Sequence, residues 1–281
     1  MGPTTFIGID LGGARGKTTA VATLVRTDDG AAVVAAGARS ERGPWSDDEL
    51  WAYLAAAPAD ALVAVGAPLT PPACLRCVRP VCPGAASCED PAVVWLRTSG
   101  KRVVEGLAAN ADTADGTAAP GGRRTRVPLV PYLHRATDVS LAYERGLIPT
   151  ESLGASTGAV AGRARQLRRR LAGAGVLLGE RLIEVSAPAT LAALFGPRRA
   201  RAARRDAEAW HERARMIGEL PGLTFSPRSR FAREDALARI HVFDALIAAY
   251  TGARWAQAGC PAPPDGPWAD DGWIVLPPER G

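Results

Sequence analysis

Lysine is almost missing from this chain. Of its 34 basic residues only Lys17 and Lys101 are lysines, which leaves 32 arginines, and with 30 glycines, 23 prolines and abundant alanine the composition is that of a GC-rich coding sequence. Part of the formal charge of +5 and the pI near 9.2 therefore reflects codon usage. The basicity points only mildly to an acidic partner such as DNA or RNA. Histidine is scarce too: His134, His211 and His241 give no Ser-His-Asp or Cys-His pattern. Long apolar runs are absent. No stretch approaches the roughly 18 apolar residues of a membrane span, and the opening Met1-Gly-Pro-Thr-Thr-Phe-Ile-Gly-Ile-Asp10 lacks the basic and apolar regions of a signal peptide. The expectation is a cytoplasmic protein without a membrane partner.

Cysteine is rare outside one place. Cys74, Cys77, Cys82 and Cys88 follow one another as C-x2-C-x4-C-x5-C, and the fifth, Cys260, stands far away between Gly259 and Pro261. Four thiols on one short loop suit a tetrahedral ion, and a C-x2-C pair aims two sulfurs at one metal. The pattern resembles a zinc knuckle with Cys82 at the histidine position and one extra residue before Cys88. A 4Fe-4S cluster also takes four closely spaced thiolates, and Cys82-Pro83 echoes the Cys-Pro of ferredoxin runs. Two disulfides or unpaired thiols are the plainer readings, but in a reducing compartment clustered cysteines more often bind metal. Zinc, with an iron–sulfur cluster as the alternative, is expected there, ordering residues 70–90, and Cys260 is expected to lie outside the site.

Hydrophobic residues make up 47% of the 281, enough for one large core or two small ones, and the chain is read as a single α/β domain over 1–281. Residues 6–10, 18–25 and 31–36 read as strands, the second and third separated by the Asp28-Asp29-Gly30 turn. Ser46 caps a helix with Glu49 at the capping-box position. Residues 61–65 form an unbroken apolar strand, with the cysteine loop directly after Gly66-Ala-Pro-Leu69. Residues 110–126 read as a flexible loop, 154–171 as a helix and 182–185 as a strand. Helices follow at 188–195, 198–220 and 231–255, and a closing strand or tail at 273–276. Arginines gather at 163, 165, 168, 169 and 170, and again at 198, 199, 201, 204, 205, 213 and 215. They read either as solvated helix faces or as a surface that follows phosphates. The seven tryptophans are scattered and read as packing.

Three carboxylates stand in apolar surroundings. Asp10 ends a strand, Glu184 sits within Leu-Ile-Glu-Val, and Asp244 lies on the stripe Leu237, Ile240, Asp244, Ile247. Burying such groups is costly unless they are paired or hold a cation. Each alone is explained by a cap or by an ion pair with an arginine. Together they are a candidate site for Mg or Mn ions in phosphoryl chemistry.

The order of short motifs resembles one family. Ile7-Gly-Ile-Asp10 with a glycine turn, Val65-Gly66-Ala67-Pro68-Leu69, Arg135-Ala-Thr-Asp138, Leu182-Ile-Glu184-Val185 and Phe243-Asp244-Ala245-Leu246-Ile247 occur as in domain of unknown function 429, described as predicted nucleases of RNase H-like fold. The resemblance spans roughly residues 5–278. It implies a mixed sheet of order 3-2-1-4-5 with flanking helices, and divalent-metal-dependent phosphodiester hydrolysis at Asp10, Glu184 and Asp244. Three motifs depart from the family pattern. Gly66 replaces an aspartate, Ser186-Ala187-Pro188 replaces His-Pro-Glu, and His241 stands where an acidic residue is common. Asp138 or Glu89 is the candidate substitute ligand, and Arg135 the candidate to neutralise phosphate charge.

Three other readings compete. Gly12 to Thr18 resembles a phosphate loop, but Leu11 stands where G-x4-G-K-[ST] needs glycine, and a strand follows instead of a helix. Ile-Asp-Leu-Gly-Gly also resembles the phosphate motif of actin-like sugar kinases, which need a duplicated domain. The third is a non-catalytic protein that binds nucleic acid or a partner through its cysteine knuckle and arginine helices.

Overall fold

The computed structural model describes residues 2–13, 18–102, 129–147, 150–155, 157–205, 209–260 and 266–278. The proposed loop at 110–126, and Lys17 with the rest of 14–17, lie outside them. The chain divides into two compact units, Met1–Leu69 with Ala159–Ala262 and Ile274–Gly281, and Thr70–Gly158 with Pro263–Trp273.

The first unit is built on a mixed sheet. Its strands are β1 (Thr5–Asp10), β2 (Ala20–Thr27), β3 (Gly30–Gly37), β6 (Leu62–Val65), β7 (Leu182–Val185), β8 (Leu223–Phe225) and β9 (Ile274–Val275); β4 (Arg39–Ser40) and β5 (Gly43–Pro44) form a separate small hairpin. The sheet order is β8-β3-β2-β1-β6-β7-β9. It differs from the five-strand order expected, because β8 is added beyond β3 and β9 beyond β7. β1 pairs antiparallel with β2 and parallel with β6, and β6 pairs parallel with β7. The apolar, β-branched run Leu-Val-Ala-Val of β6 suits this interior place, since both faces of a parallel strand are covered.

Among the described residues six helices accompany the sheet: α1 (Asp47–Ala55), α2 (Gly158–Gly173), α3 (Ala187–Arg205), α4 (Ala209–Glu219), α5 (Arg230–Ala238) and α6 (Ile240–Ala258). Ser46 caps α1 as its sequence requires, its hydroxyl accepting from the Glu49 amide at 3.1 Å. On one face Ile7, Ile9, Val63, Val65 and Leu182 pack with Leu50 and Leu54 of α1 and Ala164, Leu167 and Leu171 of α2. The other face carries α6. Gly8 makes that approach possible: a Cβ there would lie 2.1 Å from the Ala245 carbonyl oxygen and 2.2 Å from the Ala249 nitrogen. Strand alternation therefore puts Gly8 and Asp10 on the α6 face and Ile7 and Ile9 on the other.

Two helix boundaries differ from the sequence reading. The helix expected over 231–255 is broken at Arg239, whose backbone is extended (φ −121°, ψ 117°). Nothing in Ala238-Arg239-Ile240 signals a break. The Leu237 carbonyl instead accepts from Arg213 Nε at 2.8 Å, a tertiary contact that replaces an intrahelical bond. Of the helix expected over 198–220, residues 198–205 close α3 and 209–219 form α4, and Arg199 of α3 reaches Glu212 and Glu219 of α4. Gly196 (φ 80°) and Pro197 kink α3 where the sequence placed a helix boundary.

In the second unit, Ala73, Ala92, Val93, Ala136 and Trp268 form a small core flanked by Cys88, Trp95 and Trp273. Trp268 meets Trp95 and Trp273 edge-on, with centroids 5.6 and 5.2 Å away. Buried ion pairs complete it. Asp271, wholly buried, accepts from Arg76 at 2.8 Å and from the Thr137 amide at 3.3 Å.

Candidate functional site

Asp10 ends β1 on the α6 face, where the first turn of α6 holds His241, with Asp244 one turn later. His241 Nδ1 lies 2.7 Å from Asp10 Oδ2. A carboxylate only accepts, so Nδ1 carries the proton and Nε2 is left for other work. This bond raises the His241 pKa above its ordinary 6.5. Asp244 is buried, and its two oxygens accept from Arg204 Nη1 at 2.5 and 2.7 Å. Burial pushes its pKa up to about 6; Arg204 pulls it down, and the nearby Asp10 charge pushes it up again. Two carboxylates are thus brought close enough to feel each other, each with a basic partner of the protein's own. A cleft of about 650 Å³ adjoins this group, lined by Arg204, Arg213, Ile240 and Trp210, a residue 48% exposed.

Gly66 stands beside Asp10. A Cβ at that position would lie 3.4 Å from the Ile9 carbonyl and 3.8 Å from Asp10 Oδ1, ordinary contact distances. The position faces the carboxylate and contributes nothing to it.

Glu184 is not part of this group, contrary to the expected three-carboxylate convergence. It pairs in register with Val65, and Val65 with Ile9, so it shares their face of the sheet, opposite Asp10. There Glu184 Oε2 accepts from the Leu69 amide at 2.7 Å, while Arg168 donates to the Leu69 carbonyl at 3.0 Å. Its role is to hold the chain leaving β6. Asp138 and Arg135 also have separate work. They belong to the second unit, where Arg135 grips both Asp138 oxygens at 2.9 and 2.8 Å and Ser152 donates to the same carboxylate at 2.6 Å. Both are almost wholly buried. Asp138 is thus committed to Arg135 and Ser152, and Arg135 to Asp138. Glu89, the other candidate, is exposed and pairs with Arg79 at 3.7 Å.

A family comparison bears on this arrangement. The model for the protein of unknown function (DUF429) matches residues 8–267. The chain belongs to the DUF429 family. No curated protein and no solved structure matches it. In this DUF429 member the divalent ions implied by the sequence do not suit the residues as they are arranged. Asp10 is engaged by His241 and Asp244 by Arg204, Glu184 is across the sheet, and Gly66 offers no ligand. Among the described residues no group of three or more His, Cys, Asp or Glu side chains is set to hold a metal ion.

The cysteines of the DUF429 chain are all free, with Cys74, Cys77 and Cys82 exposed and Cys88 half-buried. Burial raises the Cys74 pKa, and the thiols of Cys82, Cys88 and Cys77 raise it further, so all lie within electrostatic reach of Cys74. Cys260 belongs to the other unit, where burial pushes its thiol up to about 11. The arginine clusters are mostly engaged within the fold. Arg163 pairs with Asp47 at 2.7 Å. Arg170 pairs with Asp48 and stacks on Trp51. Arg199 bridges Glu212 and Glu219, and Arg215 reaches Glu212. Arg165 and Arg169, with Gly162 and Gln166, line an open groove on α2, and Arg198 and Arg201 are exposed on α3. The Arg205 side chain lies outside the description. His134 is buried, and His211 stacks on Trp210 at 3.5 Å.

Sequence reasoning missed His241 and Arg204. The i,i+3 spacing of His241 and Asp244 on one helix was the available signal for the first. For Arg204 no local signal existed, because it was one arginine among many and its partner lies 40 residues on.

Proposed function

We propose that this DUF429 chain is a nucleic-acid-binding protein of RNase H-like fold, with a carboxylate site that no longer assembles a two-metal nuclease centre. The observation that carries the reading is the cleft in which exposed Trp210 stands with Arg204 and Arg213 beside the Asp10–His241 pair. An exposed indole offers a stacking platform for an unpaired base, and guanidinium groups attract phosphate. The RNase H-like assignment rests on β1 as an inner strand ending in Asp10, with antiparallel β2 and β3 on one side, parallel β6 and β7 on the other and α6 across one face. Arg204 on Asp244 and His241 on Asp10 supply from the protein the positive charge that a cation would bring. As the imidazolium, His241 would donate through Nε2 to a phosphodiester oxygen, beside the Arg204 guanidinium. The groove at Arg165 and Arg169 extends the basic surface.

The decisive experiment measures anisotropy of labelled single-stranded RNA and DNA across a salt series. Binding that weakens steeply with salt and falls at least tenfold in Trp210→Ala supports the reading; no binding at low salt overturns it. A second reading, a working metal-dependent nuclease, is favoured by the convergence of Asp10, His241 and Asp244. Mn²⁺- or Mg²⁺-dependent cleavage by the wild-type chain, lost in Asp10→Asn, would establish it instead.

A further inference from the structure

We propose that the loop of Cys74, Cys77, Cys82 and Cys88 binds one structural zinc ion, independently of the reading given to the carboxylate site. The four thiols are not set around an ion among the described residues, so the case rests on what the loop has and what it lacks. It lacks a core. From Cys77 to Asp90 there is neither helix nor strand, Val78 is 95% exposed and Val81 77%, and only Cys88 packs, against the tryptophan cluster. A segment with so little burial needs a staple to keep one conformation. No disulfide provides it, because all four cysteines are free.

The loop does have an arrangement directed at its sulfurs. Cys74 sits on the single turn Ala73–Arg76, tied by its amide to the Pro131 carbonyl at 3.2 Å, and Cys77 follows that turn directly. At the third cysteine, Pro83 and Gly84 (φ 82°) turn the chain so that the Gly84 amide donates to Cys82 Sγ at 3.4 Å. An N–H aimed at sulfur stabilises a thiolate more than a thiol, and hydrogen bonds from the surrounding chain tune metal ligands in this way. Arg97 gathers the next stretch, donating to the carbonyls of Ala85, Ala86 and Cys88 at 2.8, 2.7 and 3.2 Å. That sets Cys88 at the foot of the following helix. Four thiolates around a divalent ion leave a double negative charge, and Arg97, held on three carbonyls of the loop, brings a positive charge to it. Three exposed sulfurs on a short irregular loop suit a single small ion better than a cluster that needs shielding.

The test is elemental analysis of the full chain purified without chelator, together with thiol titration. About one equivalent of zinc per chain is expected, with the loop thiols unreactive until a strong chelator is added and most zinc lost in Cys77→Ser and Cys82→Ser. Cobalt substituted for zinc should give the intense visible bands of a tetrahedral thiolate site, a readout of the wild-type chain that does not depend on the variants folding. Four freely titrating thiols without metal would overturn the proposal. So would a brown protein carrying iron and sulfide, or a mass showing two disulfides.

Discussion

His241 Nδ1 and Asp10 Oδ2 lie 2.7 Å apart although 231 positions separate them in the chain. The pairing exists because α6 begins just where β1 ends, and it makes the imidazole a stronger base than a free histidine. The charged groups around the ring are Asp10, Asp244 and Arg204; the two carboxylates raise its pKa, and Arg204 opposes them.

NMR titration of His241 should therefore give a midpoint above 6.5, and Asp10→Asn should lower it. The pair's contribution to stability is fully present below 6.5 and is lost as pH rises through the higher folded value. A wild-type midpoint at or below 6.5, or one indifferent to Asp10→Asn, would refute the assignment.

Removing Arg204 leaves Asp244 buried without its partner. Arg204→Leu should cost about 3 kcal/mol in chemical denaturation at neutral pH, because an unpaired buried carboxylate must stay desolvated or take up a proton. The double variant Arg204→Leu/Asp244→Leu should recover most of that loss. Equal losses in the single and double variants would mean that the arginine acts by packing alone.

Gly8 and Gly252 both lie where α6 meets the sheet, yet alanine should be tolerated at only one of them. At Gly8 the new Cβ meets the backbone of Ala245 and Ala249 near 2.1 and 2.2 Å, which cannot yield without moving the helix. At Gly252 the nearest atom, at 2.8 Å, is Leu62 Cδ2, the far end of a side chain. Gly8→Ala should cost about 3 kcal/mol or more. For Gly252→Ala the gain in helix propensity, about 1 kcal/mol, offsets the crowding and leaves stability near that of the wild type. Circular dichroism melts of the two variants decide this ordering.

Gly66→Asp should fold, since the contacts awaiting its Cβ are 3.4 and 3.8 Å. It places a second carboxylate beside Asp10, and Mn²⁺ affinity measured by calorimetry should rise on the order of tenfold or more over the wild type. Unchanged affinity in a folded variant would show that Asp10 is held by His241 too firmly to share a cation.

The sheet was legible where local pattern and tertiary role agree. The Leu182–Val185 strand, the Ser46 cap and the break at Gly196-Pro197 stand where the sequence put them. β8 was not legible: it is three residues long, and it exists because Leu223 to Phe225 pair with the edge of β3. The stripe linking Leu237 to Asp244 was misleading, because Arg213 draws off the Leu237 carbonyl and the helix restarts at Ile240. For the site, the sequence singled out the apolar-embedded carboxylates but not their faces. Only the register Ile9–Val65–Glu184 reveals that Glu184 looks away from Asp10. Asp138 misled for a related reason, since an Arg-x-x-Asp pair serves equally as a ligand set or as a buried fork, and here it is the fork.

The bare position beside Asp10 has an evolutionary reading as well. Glycine and aspartate codons differ by one base at the second position, so a single transition in a GGY codon exchanges an empty place for a carboxylate. Because the surroundings at residue 66 already leave room, no compensating change need come first. If Gly66→Asp does raise Mn²⁺ affinity, a single mutational step separates this chain from a cation-binding one.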